Sequence, residues 1–184
     1  MTRTELITIL TERRTAHSTD ELAGRVRRDD AVGMLYALVS NPVQGLSGTE
    51  RHRLLFQGGY VLERIYFTDR NAFQPCIEDF CHRGFPGCED PSLRRLFGKI
   101  MADLLARSCP EAEVLEHIAE TAADWATGPQ AKVAVRIWAV EILKRYRGRV
   151  GWVEEIWEDL VESLVIGATP GIKSRMRRSW LRKR

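Results

Sequence analysis

Prolines that open helical patterns recur in this chain at a nearly constant interval, and a fixed interval of that size constrains the fold more than any single motif. Pro91, Pro129 and Pro170 stand 38 and 41 residues apart, each near the point where an apolar pattern of three- and four-residue spacing resumes. Proline suits the first position of a helix because its missing N–H would be unpaired there in any case. Tyr60, Ile100, Val140 and Trp180 mark the middles of four such patterns at the same interval of about 40 residues. That is the length of one helical hairpin, a unit that cannot bury its apolar face alone and is stabilised by stacking on its neighbours.

A longer internal copy tests one candidate site. YVLERIYFTDRNAFQPCIEDFCHRG lies over WAVEILKRYRGRVGWVEEIWEDLVESL with a two-residue insertion, and PSLRRLFGKIMADL then lies over PGIKSRMRRSWLRK. Cys76, Cys81, His82 and Cys88 crowd together in PCIEDFCHRGFPGCEDP, which suggests a metal site. In the copy, however, Ile156, Val161 and Ala168 take the places of the three cysteines. Two cysteines five residues apart on a helix also point about 140° away from each other. The three thiols are therefore expected to pack as small apolar groups, with no metal and no cofactor.

Apolar residues at three- and four-residue spacing, without long β-branched alternation, place the chain in the all-α class. About nine helices are expected, near residues 3–15, 19–40, 49–68, 71–84, 92–107, 111–126, 130–147, 151–166 and 171–183, in a single domain over 1–184. The breaks NPVQGLSGT, GFPGCEDP, SCPE, TGP, GRVG and GATPG are too short for domain linkers. A hydrophobic share of 44% in 184 residues can bury a sizeable core. No apolar run reaches the 18 to 20 or so residues that span a bilayer, and Glu5 and Glu12 suit neither a signal nor a transit peptide. The expected location is the cytoplasm, with Cys76, Cys81, Cys88 and Cys109 reduced.

Helix-opening prolines, the hairpin period and the pair AKVAVRIWAVEILKRY and WVEEIWEDLVESL over roughly 20–184 resemble the HEAT-repeat proteins of the armadillo-like α-α superhelix. The resemblance implies an α-α superhelix in which the first helices form an outer layer and the second helices line a concave face. It implies a non-enzymatic interaction scaffold. A more distant likeness to the DNA alkylation repair glycosylases with HEAT-like folds implies nucleic-acid binding as the alternative.

Charge carries the most specific functional pattern. Glu113, Glu116, Glu120 and Asp124 recur at three- and four-residue spacing in PEAEVLEHIAETAADW, and Glu154, Glu158 and Glu162 do so in GWVEEIWEDLVESLV, with no basic residue in either segment's helix. Each series forms one stripe opposite an apolar stripe. Together they are expected to line an acidic groove that selects a basic peptide or protein. The opposite sign gathers at the C-terminus, where Lys173, Arg175, Arg177, Arg178, Arg182, Lys183 and Arg184 occur without an acid and could release counterions from phosphates. The net charge of the whole chain is only +3, so distribution matters more than total.

Other candidates have structural explanations. Glu63, Asp103 and Glu141 repeat at 40 and 38 residues amid apolar neighbours and are expected to pair with Arg64, Lys99, Arg107, Arg136 or Lys144. Trp125, Trp138, Trp152, Trp157 and Trp180 fall at core spacing. The histidines at 17, 52, 82 and 117 lack the i, i+4 spacing of a zinc helix, and GxSxG, GxxxxGK[ST] and GxGxxG are all missing. No catalytic residue is assigned.

Overall fold

The computed structural model describes residues 1–12, 17–108, 110–166 and 168–181. Among them every regular element is helical and none is a strand, as the apolar periodicity requires. The chain forms two compact units, Met1–Ile100 and Met101–Arg184.

The first unit contains α1 (Arg3–Thr11), α2 (His17–Arg28), α3 (Val32–Ser40), α4 (Gly48–Thr68), α5 (Arg70–Phe73), α6 (Ile77–Asp79) and most of α7 (Pro91–Leu104). Capping boxes start α1 and α4: the Thr2 and Ser47 hydroxyls accept from the backbone N–H of Glu5 and Glu50, whose carboxylates reach back to the cap N–H groups. At α7, Asp90 accepts from the N–H groups of Ser92 and Leu93. These side chains satisfy donors that no intrahelical partner can reach.

Two expected helices of this unit are interrupted. The stretch 19–40 divides into α2 and α3 because Asp30 takes a left-handed conformation, φ 50°. Ala31 N–H then donates to Val26 C=O and Asp30 N–H to Arg27 C=O, the bond pattern of a Schellman stop. An aspartate fills the place usually held by glycine, so no sequence signal marked the end. The stretch 71–84 is helical throughout but irregular, passing from α5 through a 3-10 turn (Gln74–Cys76) and α6 to a π turn (Phe80–Gly84). Pro75, at the start of the 3-10 turn, has no N–H to continue an α-helical ladder.

α4 is the central helix of this unit and packs on α1, α2, α3 and α5. Its buried Leu54, Val61, Leu62, Ile65 and Tyr66 meet Leu6, Leu10, Val26, Leu35 and Val39 in the core. A cluster of aromatic rings closes it. Phe73 lies edge-on to Tyr36, Tyr66 and Phe80 at 6.1, 5.4 and 5.6 Å, and Phe80 continues to Phe97 at 5.0 Å. Edge-to-face geometry sets the positive ring edge against the negative face.

The second unit contains α8 (Ala112–Thr127), α9 (Val133–Tyr146), α10 (Gly151–Ser163), α11 (Pro170–Arg175) and a π turn, Met176–Trp180. Here α9 is central and packs on α8, α10 and α11, with Val135, Ala139, Val140, Ile142, Leu143 and Tyr146 buried. Pro129 does not open α9 directly. It sits in a turn closed by Ala131 N–H donating to Gly128 C=O, and the helix begins at Val133. No helix among the described residues is long and apolar enough to cross a membrane.

Candidate functional site

The charged surface of the second unit follows from the two-sided pattern of α8 and α10. In α8, Val114, Leu115, Ile118, Ala119, Ala122, Trp125 and Ala126 are buried, so helical geometry turns Glu113, Glu116, Glu120 and Asp124 outward, and all four are exposed. In α10, Val153, Trp157, Leu160 and Val161 are buried, and Glu154, Glu158 and Glu162 are exposed. Ile156, at a flank of the apolar stripe, is half-buried.

These seven acids are not equivalent. Arg147 donates through Nε and Nη2 to the two carboxylate oxygens of Glu154, at 3.1 and 2.6 Å, and its guanidinium lies 4.9 Å from the Trp157 ring centroid. The bond to Glu154 raises the Arg147 pKa above its ordinary value. This clamp ties the turn after α9 to the first turn of α10, so Glu154 is already engaged. Glu120 lies 3.8 Å from His117 Nδ1, one turn earlier on α8. Among the described residues, no ion pair engages Glu113, Glu116, Asp124, Glu158 or Glu162.

The C-terminal cations are divided as well. Lys173, Arg177 and Arg178 are exposed. Arg175 instead donates to Glu141 Oε1 at 3.2 Å and stacks 5.5 Å from the Trp138 ring centroid. Arg182, Lys183 and Arg184 lie outside the described residues.

The periodic acids Glu63, Asp103 and Glu141 are each engaged by a cation of the chain. Lys99 bonds Glu63, Arg107 bonds Asp103, and Glu141 accepts from both Arg175 and the Trp180 indole Nε1. The other cations weighed as partners go elsewhere: Arg64 to Asp20, Arg136 to the carbonyl of Gly128, and Lys144 to Ser179 Oγ. Of the tryptophans, Trp125, Trp157 and Trp180 are buried while Trp138 and Trp152 are half-buried. Trp138 keeps one ring face for Arg175. The side chain of His17 lies outside what is described, and His52, His82 and His117 are exposed on three different helical segments.

Cys76, Cys81 and Cys88 are buried, free thiols, at positions whose first two internal counterparts are Ile156 and Val161. Burial pushes their pKa values up to about 11, 11 and 12. Thiols held so far above neutral pH stay protonated there and are poor nucleophiles. Among the described residues, no group of three or more His, Cys, Asp or Glu side chains is placed to hold a metal ion. Cys109 lies outside them.

A hollow of about 450 Å³ opens in the first unit between the end of α3, the start of α4 and the segment before α7. Leu38, Leu54, Leu93 and Phe97 form its apolar wall, and Cys88 borders it. Two of its polar groups bond the backbone: Asn41 Nδ2 donates to Ala37 C=O, and Asp90 caps α7. Among the described residues, nothing there pairs a nucleophile with a base.

The sequence singled out the acidic stripes but missed the Arg147 to Glu154 clamp, whose signal lay in the short turn that sets the two charges seven residues apart. It also missed the Glu141 bonds to Arg175 and Trp180, which span more than 30 residues. Compared with protein-family models, with curated proteins and with solved structures, the chain has no match.

Proposed function

We propose that this chain is a non-enzymatic protein-interaction scaffold of HEAT-like helical hairpins, and that the carboxylates of α8 and α10 receive a basic peptide or protein. In a HEAT-like arrangement these two helices are the second members of their hairpins and line the concave face. The observation that carries the reading is the exposure of Glu113, Glu116, Asp124, Glu158 and Glu162 without an ion pair among the described residues. Exposed carboxylates without a salt bridge on two helices of one compact unit set up a negative potential that steers a cationic partner and repels phosphates. Among the described residues, the buried thiols are protonated and Glu141 is held in structural bonds, which supports the non-enzymatic reading.

The reading is tested with a lysine- and arginine-rich peptide titrated into the full chain and into a variant carrying Glu113→Lys, Glu116→Lys, Glu158→Lys and Glu162→Lys. Surface substitutions of this kind usually cost within about 0.5 kcal/mol each, so the variant is expected to fold and to lose peptide binding. Equal affinity of both proteins would remove the acidic face as the binding surface.

The exposure of Lys173, Arg177 and Arg178 favours a second reading, non-specific nucleic-acid binding through the C-terminal segment. Under it, neutralising those three residues abolishes duplex binding and leaves peptide binding intact.

A further inference from the structure

The second unit also holds a cationic cleft that neither reading uses. At the end of α9 and in the turn after it, Lys144, Arg145 and Arg149 line a cavity of about 350 Å³ together with Leu105 and Ala106, which follow α7. Among the described residues no carboxylate lines it. The acids nearest in sequence to its walls are engaged elsewhere, Asp103 with Arg107 and Glu141 with Arg175 and Trp180. Arg147, between the cleft residues in sequence, is held by Glu154.

What remains is an unbalanced group of positive charge. Arg145 and Arg149 are exposed and have no ion pair among the described residues. Lys144 donates to Ser179 Oγ at 2.7 Å, a bond to a neutral hydroxyl that leaves its charge uncompensated. Cations at a helix C-terminus often serve its last carbonyls, yet the donor found for Lys144 goes to a side chain, and Arg145 and Arg149 make no side-chain hydrogen bond to a carbonyl of α7 among the described residues.

We infer that this cleft is an anion site for a compact phosphate monoester. Two guanidinium forks and an ammonium suit a tetrahedral dianion, since Arg binds phosphoryl oxygens in pairs and Lys adds a mobile point charge. The volume admits a phosphoryl group with a small organic body, at the lower end of ligand-pocket sizes. A phosphodiester strand fits the observations less well, because the three cations occupy one cleft rather than a track. The same unit also exposes the acids of α8 and α10, which would repel a polyanion.

The full chain is titrated with inorganic phosphate and with glycerol phosphate at ionic strength held constant by chloride, followed by calorimetry and thermal unfolding. Saturable binding with a raised Tm is expected for both. Arg145→Gln and Arg149→Gln are each expected to weaken it about tenfold, the loss of one charged hydrogen-bonding partner, whereas Lys132→Gln, at an exposed position of the same unit, leaves it unchanged. Both arginines are exposed, so these variants are expected to keep the unfolding transition of the parent in chloride. Absence of saturable phosphate binding, or equal binding by the Arg145→Gln, Arg149→Gln double variant, would overturn the site. A single-stranded oligonucleotide that binds more tightly than glycerol phosphate and depends on the same arginines would overturn the small-ligand assignment in favour of nucleic acid.

Discussion

Chemistry at single positions in this chain is subordinated to packing. Glu141 shows it best, because a carboxylate only 7% exposed is retained by two donors, Arg175 and the Trp180 indole, that anchor the C-terminal segment to α9. Removing one partner of such a group leaves the other unsatisfied, which costs more than the bond contributes. The buried cysteines follow the same logic and give a measurable pH dependence. Each thiol ionises near 9.0 when free of the fold, and in the folded state only at about 11 for Cys76 and Cys81 and about 12 for Cys88. Below pH 9 both states keep their protons and the full stability is present. As pH rises toward 12 the unfolded chain loses protons first, so stability falls. Denaturation midpoints are expected to hold from pH 7 to about 8.5 and to decline above about 9. Cys88→Ala, compared with the parent at each pH, is expected to decline less steeply. Parallel curves would show that this thiol contributes nothing to the alkaline loss.

Helices show where local signals inform and where they mislead. The Gly58–Gly59 pair lies in the middle of α4, where propensity alone disfavours glycine by up to about 1 kcal/mol per residue against alanine. Packing explains it: a Cβ on Gly58 would meet Val39 Cγ1 at 2.6 Å, and one on Gly59 would meet Leu93 and Leu96 at 2.8 Å. The missing side chains let α3 approach one side of α4 and α7 another. Gly58→Ala is therefore expected to destabilise the chain by about 1–3 kcal/mol, as overpacking does, despite the gain in helix propensity. A raised midpoint in urea would contradict the close approach. The sequence carried most of the helix positions because apolar spacing and the Pro and Gly breaks are local, and α4, α8 and α10 lie close to their expected bounds. It did not carry the stop at Asp30, where a non-glycine adopts positive φ. Nor did it carry the 3-10 and π turns around Pro75, which arise when a proline falls inside an otherwise continuous apolar pattern. Among the proposed partner-binding residues, exposure was legible from the stripe pattern, whereas the pairing of Glu154 depended on the geometry of a turn.

At the scale of the whole molecule, a net charge of +3 conceals surfaces of opposite sign. The acids of α8 and α10 present one; Lys173, Arg177 and Arg178 present another. Long-range attraction to either surface is screened by salt, because the Debye length shrinks from about 10 Å at 0.1 M to about 3 Å at 1 M. Salt alone therefore weakens both a basic peptide and a nucleic acid, and substitutions have to separate them. Reversing Glu113, Glu116, Glu158 and Glu162 to lysine turns an attraction for a basic peptide into a repulsion, while the same change adds counterion-releasing charge for a nucleic acid. The two affinities are expected to move in opposite directions in that one variant, with peptide binding lost and duplex binding strengthened. Neutralising Lys173, Arg177 and Arg178 is expected to lose duplex binding and leave peptide binding intact. Filter binding and peptide anisotropy at two salt concentrations measure both shifts, and a reversal variant that loses peptide and duplex together would mean that the substitutions act through the fold and not through the field of the acidic face.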